Sequence, residues 1–149
     1  MKPTSSEMIV FIKHLPIFQY LDDDELSVFS GFLTWITVEE GQFLFREGQK
    51  STGLFFLQNG RLQVIKGIDT DEPETISFLN RGAIVGEMAM INGHTRSASV
   101  VAIWKADLLF LSNDAFKMLE EENPKLTVKI LKSLIRILSE RVRNNYHGH

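Results

Sequence analysis

This sequence predicts a mainly β fold of the α+β class: a closed antiparallel sandwich or barrel with helices on both flanks. Three observations carry that reading. Between Thr34 and Ser112 the chain breaks into short β-branched and aromatic runs separated by Gly41, Gly48, Gly53, Gly60, Gly82 and Gly93, the texture of strands joined by turns in a closed β-structure. On either side of that stretch apolar residues recur at helical spacing. The 149 residues, 44% hydrophobic and 23% charged, suit one globular domain over 1–149 with a real core, and a second full domain does not fit.

The first helical stretch, about 8–33, reads as two helices. Met8-Ile9-Phe11-Ile12 and Leu26-Phe29-Phe32-Leu33 are separated by Leu15-Pro16 and by the acidic turn Asp22-Asp23-Asp24. An Asp there accepts from the orphan amides of the second helix and suits the positive end of its dipole. The strand candidates over about 34–112 are Thr34–Val38, Gln42–Phe45, Leu54–Leu57, Arg61–Ile68, Thr75–Leu79, Ser97–Ala102 and Leu108–Leu111. Asn59-Gly60 between two of these runs predicts a tight hairpin whose turn needs positive φ. Trp104 and Phe110 read as packing inside the barrel. After Ser112 the pattern returns to helix over about 113–144, with Asn113 or Asp114 as cap of the first helix and Asn123-Pro124 opening the second.

Composition excludes several functions. Lys and Arg number 16 against 19 Asp and Glu, a formal net charge of −3, which disfavours non-specific nucleic-acid binding. The absence of cysteine removes disulfides, thiolate metal sites and thiol nucleophiles. The apolar run Met8–Ile12 is too short for a signal-peptide core, and no window approaches the roughly 20 apolar residues of a membrane span. The expectation is a cytoplasmic protein without membrane or direct nucleic-acid partners.

The chemistry concentrates in Val85-Gly86-Glu87-Met88-Ala89-Met90 and the following Thr95-Arg96-Ser97-Ala98-Ser99-Val100. One helical turn from Glu87 to Met90 would present unpaired amides as an anion seat, with Arg96 adding a forked cation. Gly86 permits close backbone approach, and Glu87 is an acceptor suited to sugar hydroxyls.

This segment resembles the phosphate-binding cassette of the cyclic nucleotide-binding domain family. Val85 to Met90 meets the apolar–Gly–Glu–x–small–apolar opening, and Arg96 to Val100 meets the Arg–small–Ala–x–apolar ending. Leu44-Phe45, Gly48-Gln49, Leu54-Phe55-Phe56-Leu57 and Gly60 match the family's upstream barrel pattern, and the resemblance runs from about Leu15 to Asn144. Thr95 stands where the family usually has Pro, and Ser51-Thr52-Gly53 lacks the acidic residue often found near that turn. The resemblance implies a jelly roll, or double-stranded β-helix. It implies that Glu87 takes the ribose 2′-hydroxyl, that Arg96 pairs with the cyclic phosphate, that Gly86, Met88 and Ala89 line the anion seat through their backbones, and that Ser97 touches phosphate or base. The ligand so implied is a 3′,5′-cyclic purine nucleotide, cAMP ahead of cGMP, with no further cofactor and no metal. The alternative is a fold that has lost its ligand and serves dimerisation.

On the last helix, Leu126, Val128, Ile130, Leu131, Leu134, Ile135, Ile137, Leu138 and Val142 spread over roughly 200°, wider than one buried face needs. The excess predicts a homodimer through Ile130, Leu134, Ile137 and their neighbours. Arg141 falls inside this apolar arc, about where some bacterial relatives place a base-contacting residue; snorkelling or pairing across a dimer is the equal alternative. No nucleophile–base pair or metal constellation supports an enzyme. The expected function is a regulatory sensor module, standing alone or part of a longer protein.

Overall fold

The computed structural model describes residues 4–87 and 95–147. The chain forms two compact units: a helical one built from residues up to Phe32 together with those from Phe116 onward, and a β unit over Leu33–Ala115.

In the helical unit, α1 (Ser5–Lys13) starts at a capping box, where the Glu7 amide donates to Thr4 Oγ1 at 3.2 Å and the Thr4 amide to Glu7 Oε1 at 3.3 Å. A 3₁₀ turn at Pro16–Phe18 follows. Helix α2 (Asp23–Ser30) is capped by Asp22, whose Oδ1 accepts from the Glu25 amide at 2.8 Å; the acidic triplet thus acts as the cap its composition suggests. Phe18 and Phe29, both buried, meet with ring centroids 5.2 Å apart. Helix α3 (Asn113–Glu122) begins in the β unit. Its cap is Ser112, whose Oγ accepts from the Ala115 amide at 3.0 Å; Asn113 instead donates through Nδ2 to the Ser51 carbonyl at 3.1 Å.

Helix α4 (Pro124–His147) has Pro at its first position and Asn123 Oδ1 accepting from the Leu126 amide at 3.1 Å. It packs on the 3₁₀ turn. Lys129 Nζ sits 2.9 Å from each Glu25 oxygen on α2, an interaction that holds the lysine above its ordinary pKa. The Arg136 guanidinium lies 4.4 Å from the centre of the Tyr20 ring. Ile130 and Leu134, expected at a partner interface, are covered within the chain itself, at 0% and 6% exposure. The exposed apolar side chains of α4 are Val128, Leu131, Ile135 and Val142, one stripe displaced to the side of the buried face.

The β unit contains β1 (Thr34–Val38), β2 (Phe43–Phe45), β3 (Gly53–Lys66), β4 (Glu74–Leu79), β5 (Ile84–Val85) and β6 (Ser99–Ser112). They form one antiparallel sheet in the order β1-β6-β3-β4, with β2 also on β6 and β5 also on β3. Among the described residues these pairings do not close into a ring. Val38, Phe55, Leu57, Leu62, Val85, Val100, Ala102, Ala106 and Leu108 make the core.

Two sequence expectations fail here for related reasons. Asn59-Gly60 is not a hairpin: β3 runs through it and keeps pairing with β6, from Leu57↔Leu108 through Asn59↔Asp107 to Arg61↔Trp104, with register shifts at each step. Gly60 does adopt positive φ, +101°, yet the reason is close strand approach, since a Cβ there would run into the Lys105 carbonyl and lie 2.6 Å from Ala106 Cα. The two downstream runs likewise fuse into β6. Trp104 is not barrel packing; it is 57% exposed, because the shifts turn it to the outer face. Phe110 does pack inward, stacked on Phe55 at 4.7 Å.

Candidate functional site

The site is organised by Arg96. The chain reaching it is pinned to the turn after β2: Lys50 and Thr95 form an isolated antiparallel bridge, the Arg96 amide donates to the Gln49 carbonyl at 2.7 Å, and the Gly48 amide donates to the Arg96 carbonyl at 2.8 Å. Gln49 Oε1 accepts from the Arg46 amide at 2.9 Å and holds that turn. The Arg96 side chain, 4% exposed, is therefore delivered inward from a backbone held on both sides.

Its guanidinium has two sets of neighbours. Nη2 donates to the Gly53 carbonyl at 2.8 Å and Nη1 to the Gly86 carbonyl at 3.3 Å. The Phe45 ring lies beneath it at 4.1 Å, and the Phe55 ring at 5.7 Å, both within cation–π range. Nε is buried with no hydrogen-bond partner among the described residues. Among the described residues no acidic side chain is ion-paired with Arg96, and burial pushes its pKa below the ordinary arginine value. A buried cation without a counter-charge is costly, and a guanidinium stays charged, so an anion is what this arrangement stabilises.

Gly86 follows β5 with φ of +84°, and a Cβ on it would overlap Arg96 Nη1. Glu87, half-buried and helical, is the last described residue before 88–94. Ser97 is exposed, next to Arg96. Met88 and Ala89, expected to line the anion seat, lie outside the described residues, as do Met90, Gly93 and His94. Arg141 is half-buried on α4, in the helical unit.

The structure thus brings Gly86 and Arg96 into contact and adds partners that sequence reasoning missed: the Gly53 carbonyl and the rings of Phe45 and Phe55. Phe45 lay within the matched barrel pattern, but nothing local marks a phenylalanine as the floor of a cation 51 positions later.

The family model described as cyclic nucleotide-binding domain matches residues 35–123. A solved cyclic nucleotide-binding domain from Methylobacillus flagellatus KT is 32% identical, superposes with a TM-score of 0.83, and is matched over 95% of this chain and 80% of its own. The cAMP co-crystal structure of the regulatory domain of Toxoplasma gondii PKA superposes at 0.75 with 22% identity, over 91% of this chain and 50% of that one. The lysophospholipase nte1 of Neurospora crassa is 30% identical over 111 residues, which are 74% of this chain but only 7% of that protein. The jelly-roll fold of those domains is the fold found here.

Proposed function

Because the chain belongs to the cyclic nucleotide-binding domain family, we propose that it is a regulatory sensor module that takes a 3′,5′-cyclic purine nucleotide against Arg96 and signals through its C-terminal helices. The observation that carries this reading is the buried guanidinium that has, among the described residues, no partner for its Nε and no ion-paired carboxylate. In it the cyclic phosphate meets Arg96, the Gly86, Met88 and Ala89 backbones complete the anion seat, and Ser97 contacts phosphate or base. Glu87 accepts from the ribose 2′-hydroxyl, and Arg141 contacts the purine. Within this proposal cAMP stands ahead of cGMP, an order that titration with both nucleotides decides. A cytoplasmic location without direct nucleic-acid partners, and a module that is itself no enzyme, belong to the same proposal.

Homodimerisation through α4 completes it. The supporting observation is the exposed stripe Val128, Leu131, Ile135 and Val142, neighbours of the expected positions Ile130 and Leu134, which are themselves buried. The same stripe favours the second reading, a ligand-free dimerisation domain, so ligand binding decides between the two.

The test is calorimetric titration with cAMP and cGMP after co-purified ligand is removed, paired with thermal melting. A ligand that binds only the folded state stabilises it by RT ln(1 + [L]/Kd), about 2.7 kcal/mol at 100 times Kd. Absence of both heat and melting shift up to millimolar nucleotide refutes the sensor reading and leaves the dimerisation domain.

A further inference from the structure

In the β unit, the large apolar side chains exposed among the described residues are Ile76, Phe78 and Trp104, at 52%, 45% and 57%. They are not scattered. Arg61 lies between the last two, its guanidinium 4.5 Å from the Phe78 ring centre and 5.9 Å from that of Trp104. Ile76 stands two residues from Phe78 on β4. The register puts Arg61 opposite Trp104 on β6 and next to Leu62, the partner of Leu79 on β4. Arg61 Nε is buried without a hydrogen-bond partner among the described residues. The guanidinium thus lies against two rings and has no acidic partner among the described residues.

Trp, Phe and Arg in contact on an exposed sheet face are the composition of an interface hot spot, where rigid rings supply area and arginine supplies directional donors. We propose that the outer face of β3, β4 and β6 around Arg61 is a docking surface for an acidic, apolar segment of a partner protein. A carboxylate of that segment meets Arg61, and its apolar side chains cover Trp104, Phe78 and Ile76.

Charge decides the occupant. A second copy laid face to face across a two-fold axis through this patch would bring Arg61 against Arg61, so the centre of the surface repels itself. An anionic bilayer or nucleic acid would meet Glu74 at the start of β4 and Asp71 and Glu72 just before it. A protein segment escapes both conflicts by placing its carboxylate at the Leu79 end of β4 and a neutral or basic residue at the Glu74 end. This inference does not rest on nucleotide binding, because Arg61 and Trp104 take no part in the Arg96 site.

The experiment pans a displayed random-peptide library against the immobilised full chain. The expected result is enrichment of peptides with Asp or Glu beside aromatic or aliphatic residues. Their affinity should fall roughly tenfold or more in Arg61→Gln and in Trp104→Ala, with Arg61→Lys intermediate because it keeps charge but loses the planar fork. Thermal melting of each variant checks folding, and Arg61→Gln carries the test alone if Trp104→Ala melts early. No acidic–apolar enrichment, or enriched peptides indifferent to Arg61→Gln, overturns the proposal. So does self-association that Arg61→Gln abolishes, or Arg61-dependent binding to phosphatidylserine vesicles in place of peptides.

Discussion

Gly86 and Arg96 fit each other atom to atom: the Gly86 carbonyl accepts from Arg96 Nη1 at 3.3 Å, and a Cβ on Gly86 would overlap that same nitrogen. Gly86 also sits at φ +84°, where an L side chain is strained. Gly86→Ala should therefore act twice, costing about 1–3 kcal/mol of folding stability and driving the guanidinium out of its seat. Nucleotide affinity should fall roughly tenfold or more, read by calorimetry on protein shown to be folded. Unchanged affinity would mean the guanidinium does not need the position it occupies here.

Arg96 itself should show the charge and the fork separately. Arg96→Ala should lose roughly 2–5 kcal/mol of nucleotide binding, because a buried phosphate is left without its forked partner. Arg96→Lys should lose less at neutral pH but become pH-sensitive. Burial lowers the pKa of a base, so a lysine there gives up its proton as pH rises and binding weakens toward alkaline pH. Wild-type binding should stay flat over the same range, since arginine, although pushed down by burial, remains protonated. Titrations at neutral and alkaline pH separate the two, and a flat profile in Arg96→Lys would show that the site is not the dry pocket its burial describes.

Gly60 distinguishes a turn from a strand crossing. In a hairpin turn of the type its Asn-Gly signature suggests, Gly60→Asn would be mild, because Asn tolerates positive φ. In the structure a Cβ of any residue runs into the Lys105 carbonyl. Gly60→Ala and Gly60→Asn should be about equally damaging, roughly 2–4 kcal/mol by urea denaturation. A mild Gly60→Asn would return the hairpin.

That example shows what the sequence held and what it withheld. Local chemistry was legible: Asp22 caps α2, Pro124 opens α4, and Thr34–Val38 is β1 to the residue. Positive φ at Gly60 was legible too, but a hairpin turn and a close strand crossing demand the same local signal. Only pairing with Lys105 and Ala106, more than 40 positions away, separates them. The same holds for Trp104, whose face depends on accumulated register shifts between β3 and β6. At the site, Gly86 and Arg96 were readable because they lie 10 positions apart in one motif, whereas the Gly53 carbonyl is supplied 43 positions upstream of Arg96. Contacts closed by distant segments leave no periodicity for sequence reading to find.

The wide apolar arc of α4 resolves into two surfaces with different energetics. Ile130, fully buried, belongs to the fold, so Ile130→Ala should destabilise the chain by about 2–5 kcal/mol through the cavity it leaves. Val128, Leu131, Ile135, Leu138 and Val142 follow one another at intervals of 3, 4, 3 and 4 residues, the spacing of a two-helix seam. All but the half-buried Leu138 are exposed. Ile135, 62% exposed, can carry a charge without touching the core, so Ile135→Lys should leave melting of the isolated chain within about 0.5 kcal/mol while placing two like charges across the seam. Sedimentation should then find a dimer for wild type and Ile130→Ala and a monomer for Ile135→Lys. A wild-type monomer at micromolar concentration, with and without nucleotide, would leave the stripe without a second copy and remove dimerisation from the proposed function.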